Sequence, residues 1–161
     1  MKYLFYFLFL SLPFLSYGQD EDCFLKKDFL IIQGTKDYNT ALQTAKKASK
    51  ALNIKLDLRD LIPDKDRDNG LTLPLDTCLK YPDEFNGDST FYWPRGRYDD
   101  GIYISIEYSS RYEHMRKGYY IVMIGSGENK DKNLRATLKK VKAKYSDAYI
   151  QTCKVYMCCT R

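Results

Sequence analysis

Histidine is nearly absent from this chain, and that scarcity closes off several kinds of chemistry. One residue, His114, serves all 161 positions. A Ser-His-Asp or Cys-His arrangement would have to be built on it, yet it lies in a polar connector, 111–118, with no nucleophile motif in sight. Long apolar runs are missing after residue 15, so no later segment reads as a membrane span. A dominant sign of charge is missing too. The 26 Lys and Arg are interspersed with 21 Asp and Glu for a net +5, which argues against an electrostatic nucleic-acid binder. Repeated C-x-x-C pairs are absent, so a zinc site is not expected. Gly125-Ser126-Gly127 lacks the further glycines of a phosphate loop. Asp99 and Asp100 are adjacent, so on a strand they would point apart rather than converge as a glycosidase pair. The expectation is a chain without catalysis, cofactor or metal.

What is present begins with the N-terminus. Lys2 supplies a positive n-region, Tyr3 to Leu15 an apolar core, and Ser16-Tyr17-Gly18 small residues around a cut before Gln19. That layout predicts a signal peptide over 1–18, leaving 19–161 as a single exported domain, periplasmic or secreted. Cys23 follows Asp20-Glu21-Asp22, which does not suit lipoprotein processing. All five cysteines, Cys23, Cys78, Cys153, Cys158 and Cys159, fall in the exported part. An oxidising compartment makes each a disulfide candidate, with at most two intramolecular bridges and one thiol left over.

Two segments read as copies of one unit. The first opens on Phe29-Leu30-Ile31-Ile32-Gln33-Gly34-Thr35 and continues as a helix over about 38–52, with Ala41, Leu42, Ala45, Ala48 and Leu52 on one stripe. Ile54-Lys55-Leu56-Asp57-Leu58-Arg59 then alternates as a half-buried strand. The second copy opens on Tyr119 to Ser126 and continues as a basic helix over about 132–145, with Leu134, Leu138 and Val141 inward. It closes with a strand over 148–157. The spacing predicts an α+β sandwich: two βαβ-type half-repeats forming a mainly antiparallel sheet, with both helices on one face.

Between the copies, 62–100 is rich in Pro, Asp and Gly and reads as a long irregular insertion, followed by an alternating strand over 101–108. Asp64-Lys65-Asp66-Arg67-Asp68-Asn69-Gly70 begins like a calcium loop. Its glycine falls one place late and Leu75 stands where the bidentate Glu belongs, so a solvated charged turn is expected. Rings crowd the insertion and the strand after it: Tyr81, Phe85, Phe91, Tyr92, Trp93, Tyr98 and Tyr103 among them. Rings beside Arg95 and Arg97 suit sugar faces and protein interfaces alike. The candidate ligand-binding residues are therefore Tyr92, Trp93, Arg95, Arg97, Tyr98 and Tyr103, with both arginines expected at least partly exposed on the sheet side away from the helices.

Ile121-Val122-Met123-Ile124-Gly125-Ser126, and more loosely Ile31-Ile32-Gln33-Gly34-Thr35, resemble the strand-to-helix opening of the SPOR (sporulation-related repeat) domain. The resemblance covers 29–59 and 119–157; the long insertion and the cysteines depart from the family. It implies peptidoglycan glycan strands bound on the open sheet face of an envelope protein. The expected function is thus an exported, non-catalytic glycan-binding module. The alternative is an inhibitor- or immunity-type protein that binds another protein through the aromatic insertion, and a small hydrolase stands third.

Overall fold

The computed structural model describes residues 23–64, 70–74, 76 and 92–157. The signal-peptide reading, most of the calcium-like turn, Cys78, Cys158, Cys159 and the rings at 81, 85 and 91 lie outside the described residues. The architecture is α+β. In chain order it runs β1 (Phe24–Thr35), α1 (Tyr38–Leu52), β2 (Ile62–Pro63), β3 (Leu71–Thr72), β4 (Gly101–Tyr108), β5 (Tyr120–Glu128), α2 (Lys132–Lys142) and β6 (Tyr149–Tyr156).

The main sheet has the order β4-β5-β1-β6, with every neighbouring pair antiparallel. Each helix therefore joins two parallel strands that have one strand between them. The helices start where a short acidic side chain can serve the first free N–H groups. Asp37 accepts from Thr40 N at 2.8 Å, and Asp131 Oδ1 accepts from Leu134 N at 2.7 Å. Asn53, left-handed at φ 54°, ends α1.

Both helices cover the same sheet face, as expected. Ala41, Ala45 and Ala48 let α1 lie close against the sheet. With Leu134 and Val141 of α2 they bury Leu30, Ile104, Ile106, Val122 and Ile124. The opposite face carries Phe29, Ile31, Ile121, Met123, Cys153 and Val155, with Tyr112 laid on top. Strand alternation separates the two sets, so β1, β5 and β6 each feed both cores, whereas β4 gives Ile104 and Ile106 to the helix side and turns Ser105 and Glu107 to the other.

One expectation is corrected. Residues 54–59 do not complete the first crossover as a strand. They make a single parallel bridge, Leu56 to Ile104, at the outer edge of β4, which is the strand that closes the crossover. The Asp57 carboxylate accepts from Arg59 N at 2.9 Å, and Arg59 and Asp60 both take positive φ, so the chain turns away after one bridge. Alternating Leu56 and Leu58 still pack against the helix-side core. Their pattern reports burial, not a ladder.

β2 and β3 form a small ribbon over a third cluster, Leu61, Leu71 and Tyr92. Gly70 enters it at φ 63°, where an added Cβ would stand 2.3 Å from the Tyr108 ring. Gly70→Ala combines left-handed strain with a clash against an aromatic ring, so about 2 kcal/mol of stability should be lost. Urea titration checks this; an unchanged midpoint would mean that the ribbon does not contribute to the cooperative core.

Candidate functional site

Five of the six residues singled out from sequence come together where residues 92–100 cross the helix-free sheet face. The backbone there is close to the sheet: a Cβ on Gly96 would lie 2.9 Å from the Phe29 ring, and Gly96 has φ 90°. Trp93 and Tyr98 meet edge-on at 6.4 Å, with the Arg97 guanidinium 3.4 Å from the Trp93 ring centre. The Arg95 guanidinium stacks on Tyr103 at 3.5 Å. Tyr92 turns the other way, into the cluster under the β2–β3 ribbon.

The arginines sit on the expected side of the sheet but are not exposed. Arg95 is 0% and Arg97 3% exposed, and Tyr92 is 2% exposed. The reason is a buried polar network that the strands themselves supply. Arg95 Nη1 donates to Tyr103 O and Ser105 Oγ, both at 2.9 Å. Its Nη2 donates to Gly101 O at 2.8 Å, and Nε to Ser126 Oγ at 3.2 Å. Arg59 pairs with Glu107 at 2.9 Å and Asp99 at 3.2 Å, and donates to Trp93 O at 2.7 Å. Tyr112 donates to the second oxygen of Glu107 at 3.0 Å.

Electrostatics follow from burial and pairing. Burial works against the Arg59 charge, but Glu107 and Asp99 outweigh it and hold the pKa above the ordinary arginine value. Burial lowers that of Arg95, whose hydrogen-bonded acceptors are chiefly neutral. Burial, reinforced by the Glu107 charge, pushes Tyr112 well up. The arrangement holds the end of the insertion onto the sheet. It offers no free donor fork to a ligand.

The carboxylates are likewise engaged. Asp99 also accepts from Tyr103 OH at 2.8 Å and Gly96 N at 3.0 Å, and Asp100 pairs with Lys27 at 2.6 Å. His114 is exposed beside Glu113 at 3.9 Å. Among the described residues no cluster of His, Cys, Asp or Glu could hold a metal ion, and no helix is long and apolar enough to cross a membrane. Cys153 is a correction to the disulfide candidates: it is a free thiol, buried in the helix-free core. Cys23 is disulfide-bonded.

A space a ligand could enter lies elsewhere on the same sheet face. A cleft of about 280 Å³ is floored by Gly34, Ile121, Tyr149 and Gln151 of three adjacent strands. Its wall is Ser109, Met115, Arg116 and Tyr119 of the β4–β5 connector. The Tyr119 ring is flanked by Arg116 at 5.1 Å and Lys36 at 5.8 Å. Tyr149 is 47% exposed, and a Cβ on Gly34 would meet nothing within 4 Å, so the floor is open. None of these residues is among the ligand-binding candidates read from the sequence. The alternation of β6 carried a usable signal, because Tyr149 and Gln151 share a face with the core residues Cys153 and Val155. No family model, curated protein or solved structure matches this chain.

Proposed function

We propose that this chain is an exported, non-catalytic binding module that takes a glycan ligand in the helix-free cleft. The observation that carries the reading is the lining of that cleft. Two tyrosine rings, an amide at Gln151 and the cation of Arg116 stand around an open glycine floor. Flat rings suit the apolar faces of sugars, while planar amide and guanidinium groups suit their hydroxyl and carboxylate oxygens. The reading agrees with the SPOR resemblance, which implies glycan on the open face, and with two half-repeats as the origin of the paired crossovers. Asp99 and Asp100 are each held in an ion pair, which favours binding over hydrolysis.

Isolated peptidoglycan should sediment with the purified protein. Tyr149→Ala and Arg116→Ala should each weaken that binding about tenfold, with melting temperature unchanged, because both side chains stand at the cleft and not in the core. Absence of binding to peptidoglycan and to soluble chito-oligosaccharides would end the glycan reading. The second reading, a protein partner, is favoured by one observation: Tyr98 is 66% exposed beside Trp93 at the tip of the 92–100 segment. Tyr98→Ala should leave glycan binding intact but abolish capture of a protein partner if that reading holds.

A further inference from the structure

The two helices carry eight basic side chains, Lys46, Lys47, Lys50, Lys132, Arg135, Lys139, Lys140 and Lys142, and no acidic one. The whole chain is only +5, so everything outside the helices is net negative. All eight are exposed. Only Arg135 has an acidic partner, Asp28 at 3.5 Å; the seven lysines make no ion pair among the described residues. Lys144, just past α2, donates to Ala51 O in the last turn of α1, so the basic ends of the two helices are neighbours. Asp37 and Asp131, at the helix starts, are turned into their own N-termini as caps, and Asp147 lies beyond the end of α2.

Helix stability accounts for part of this pattern. Lys50, Lys139, Lys140 and Lys142 lie in last turns, where cations complement the helix dipole. It does not account for Lys46, Lys47, Lys132 or Arg135. Nor does it explain why no position was given to Glu or Asp, whose spacing to lysine would stabilise an exposed helix. We infer that the outer face of the helix layer docks electrostatically on an anionic lipid surface.

Three features select that occupant. The charges spread over two helices, α1 alone being about 22 Å long, so they form a patch and not a single line along which one polymer chain would run. The exposed large apolar residues, Leu25, Ile62, Tyr98, Ile102 and Tyr149, all lie off the helices, so nothing there inserts and no ring stacks on a sugar. Lysine ammonium groups on long stems meet headgroup phosphates as point charges, without the fixed geometry a specific site needs. Docked this way, the protein turns its helix-free sheet face, with the cleft, away from the membrane. The inference stands on the helices alone and does not depend on the glycan reading.

Co-sedimentation with vesicles tests it. The protein should partition onto vesicles containing about one-third phosphatidylglycerol, not onto pure phosphatidylcholine, and should be released at about 0.5 M NaCl. Lysines near an anionic surface each contribute roughly fivefold to partitioning, so a triple substitution should cost about a hundredfold. Lys139→Gln/Lys140→Gln/Lys142→Gln and Lys46→Gln/Lys47→Gln/Lys50→Gln should each show that loss, with circular dichroism confirming the fold. Lys117→Gln, on the β4–β5 connector, should bind as the parent does. Equal binding to neutral vesicles would overturn the inference, as would wild-type partitioning by both folded triple variants. Retention on heparin without any vesicle binding would also overturn it, in favour of a soluble polyanion.

Discussion

Arg95→Met should lower stability by about 3–5 kcal/mol, because it strands several polar partners that cost about 1–3 kcal/mol each when unsatisfied. Methionine fills much of the same volume, so the loss reads out polar contacts more than a cavity. Four hydrogen bonds go, to Tyr103 O, Ser105 Oγ, Gly101 O and Ser126 Oγ. The Ser105 and Ser126 hydroxyls left behind are buried and the Tyr103 and Gly101 carbonyls partly buried, and each group left unsatisfied out of water costs about 1–3 kcal/mol unless it finds another partner. Glu107→Gln should cost a similar amount, because it leaves Arg59 with Asp99 as its remaining carboxylate and weakens the Tyr112 contact. The Arg95→Met/Glu107→Gln double variant should lose less than the sum, since each substitution relieves part of the charge imbalance made by the other. Arg97→Ala should cost about 1–2 kcal/mol through its lost stacking on Trp93. Urea titrations of the four variants check the series. If Arg95→Met keeps the parent's midpoint, Arg95 is not a structural residue, and the 92–103 surface regains its standing as the place where ligand binds.

The contrast between Arg95 and the helices shows which parts of this protein are legible in sequence. The α1 stripe of Ala41, Ala45 and Ala48 makes that helix legible over about 38–52, because a 3.6-residue period is a local property. The clean alternation of 101–108 fixes β4 for the same reason. Arg95 was misread because its partners are non-local: Ser105 and Ser126 lie 10 and 31 residues away, and strand pairing alone brings them under the guanidinium. A run of alternating rings and charges looks the same whether the arginines greet a ligand or are captured by the sheet. The cleft was missed for the complementary reason. Gly34, Ile121, Tyr149 and Gln151 come from three strands whose order, β5-β1-β6, is not the order of the chain. Segment 54–59 shows the limit of alternation itself, which registers one-sided burial and is blind to the turn imposed by Asp57 and Arg59.

Alkaline titration should unfold the protein between pH 9 and about pH 12, in one cooperative step. Burial pushes the Cys153 thiol from 9.0 up to about 12, with the Asp28 carboxylate adding to the shift. Burial raises Tyr92, Tyr103 and Tyr112 above the ordinary 10.0; Glu107 adds to the rise of Tyr92 and Tyr112, and Asp99 to that of Tyr103. The sign follows from linkage. In the unfolded chain these groups lose their protons near 9 to 10, whereas in the folded protein they keep them to higher pH. The folded state therefore binds more protons in that window, and its stability falls as pH rises through it. Below pH 9 both states hold these protons, so the groups leave stability unchanged there. Above it, each group adds a penalty that grows until its folded pKa is reached, and several groups act together. Absorbance at 295 nm, which reports tyrosinate, should rise with a final component coincident with loss of far-ultraviolet circular dichroism. Tyr112→Phe should cost about 1–2 kcal/mol at neutral pH, by removing the hydrogen bond to buried Glu107. The same variant should flatten the alkaline limb, because one strongly shifted group no longer titrates. If every tyrosine ionises by pH 11 while the circular dichroism stays native, these rings are reachable by solvent, and the 92–100 segment does not seal the sheet face.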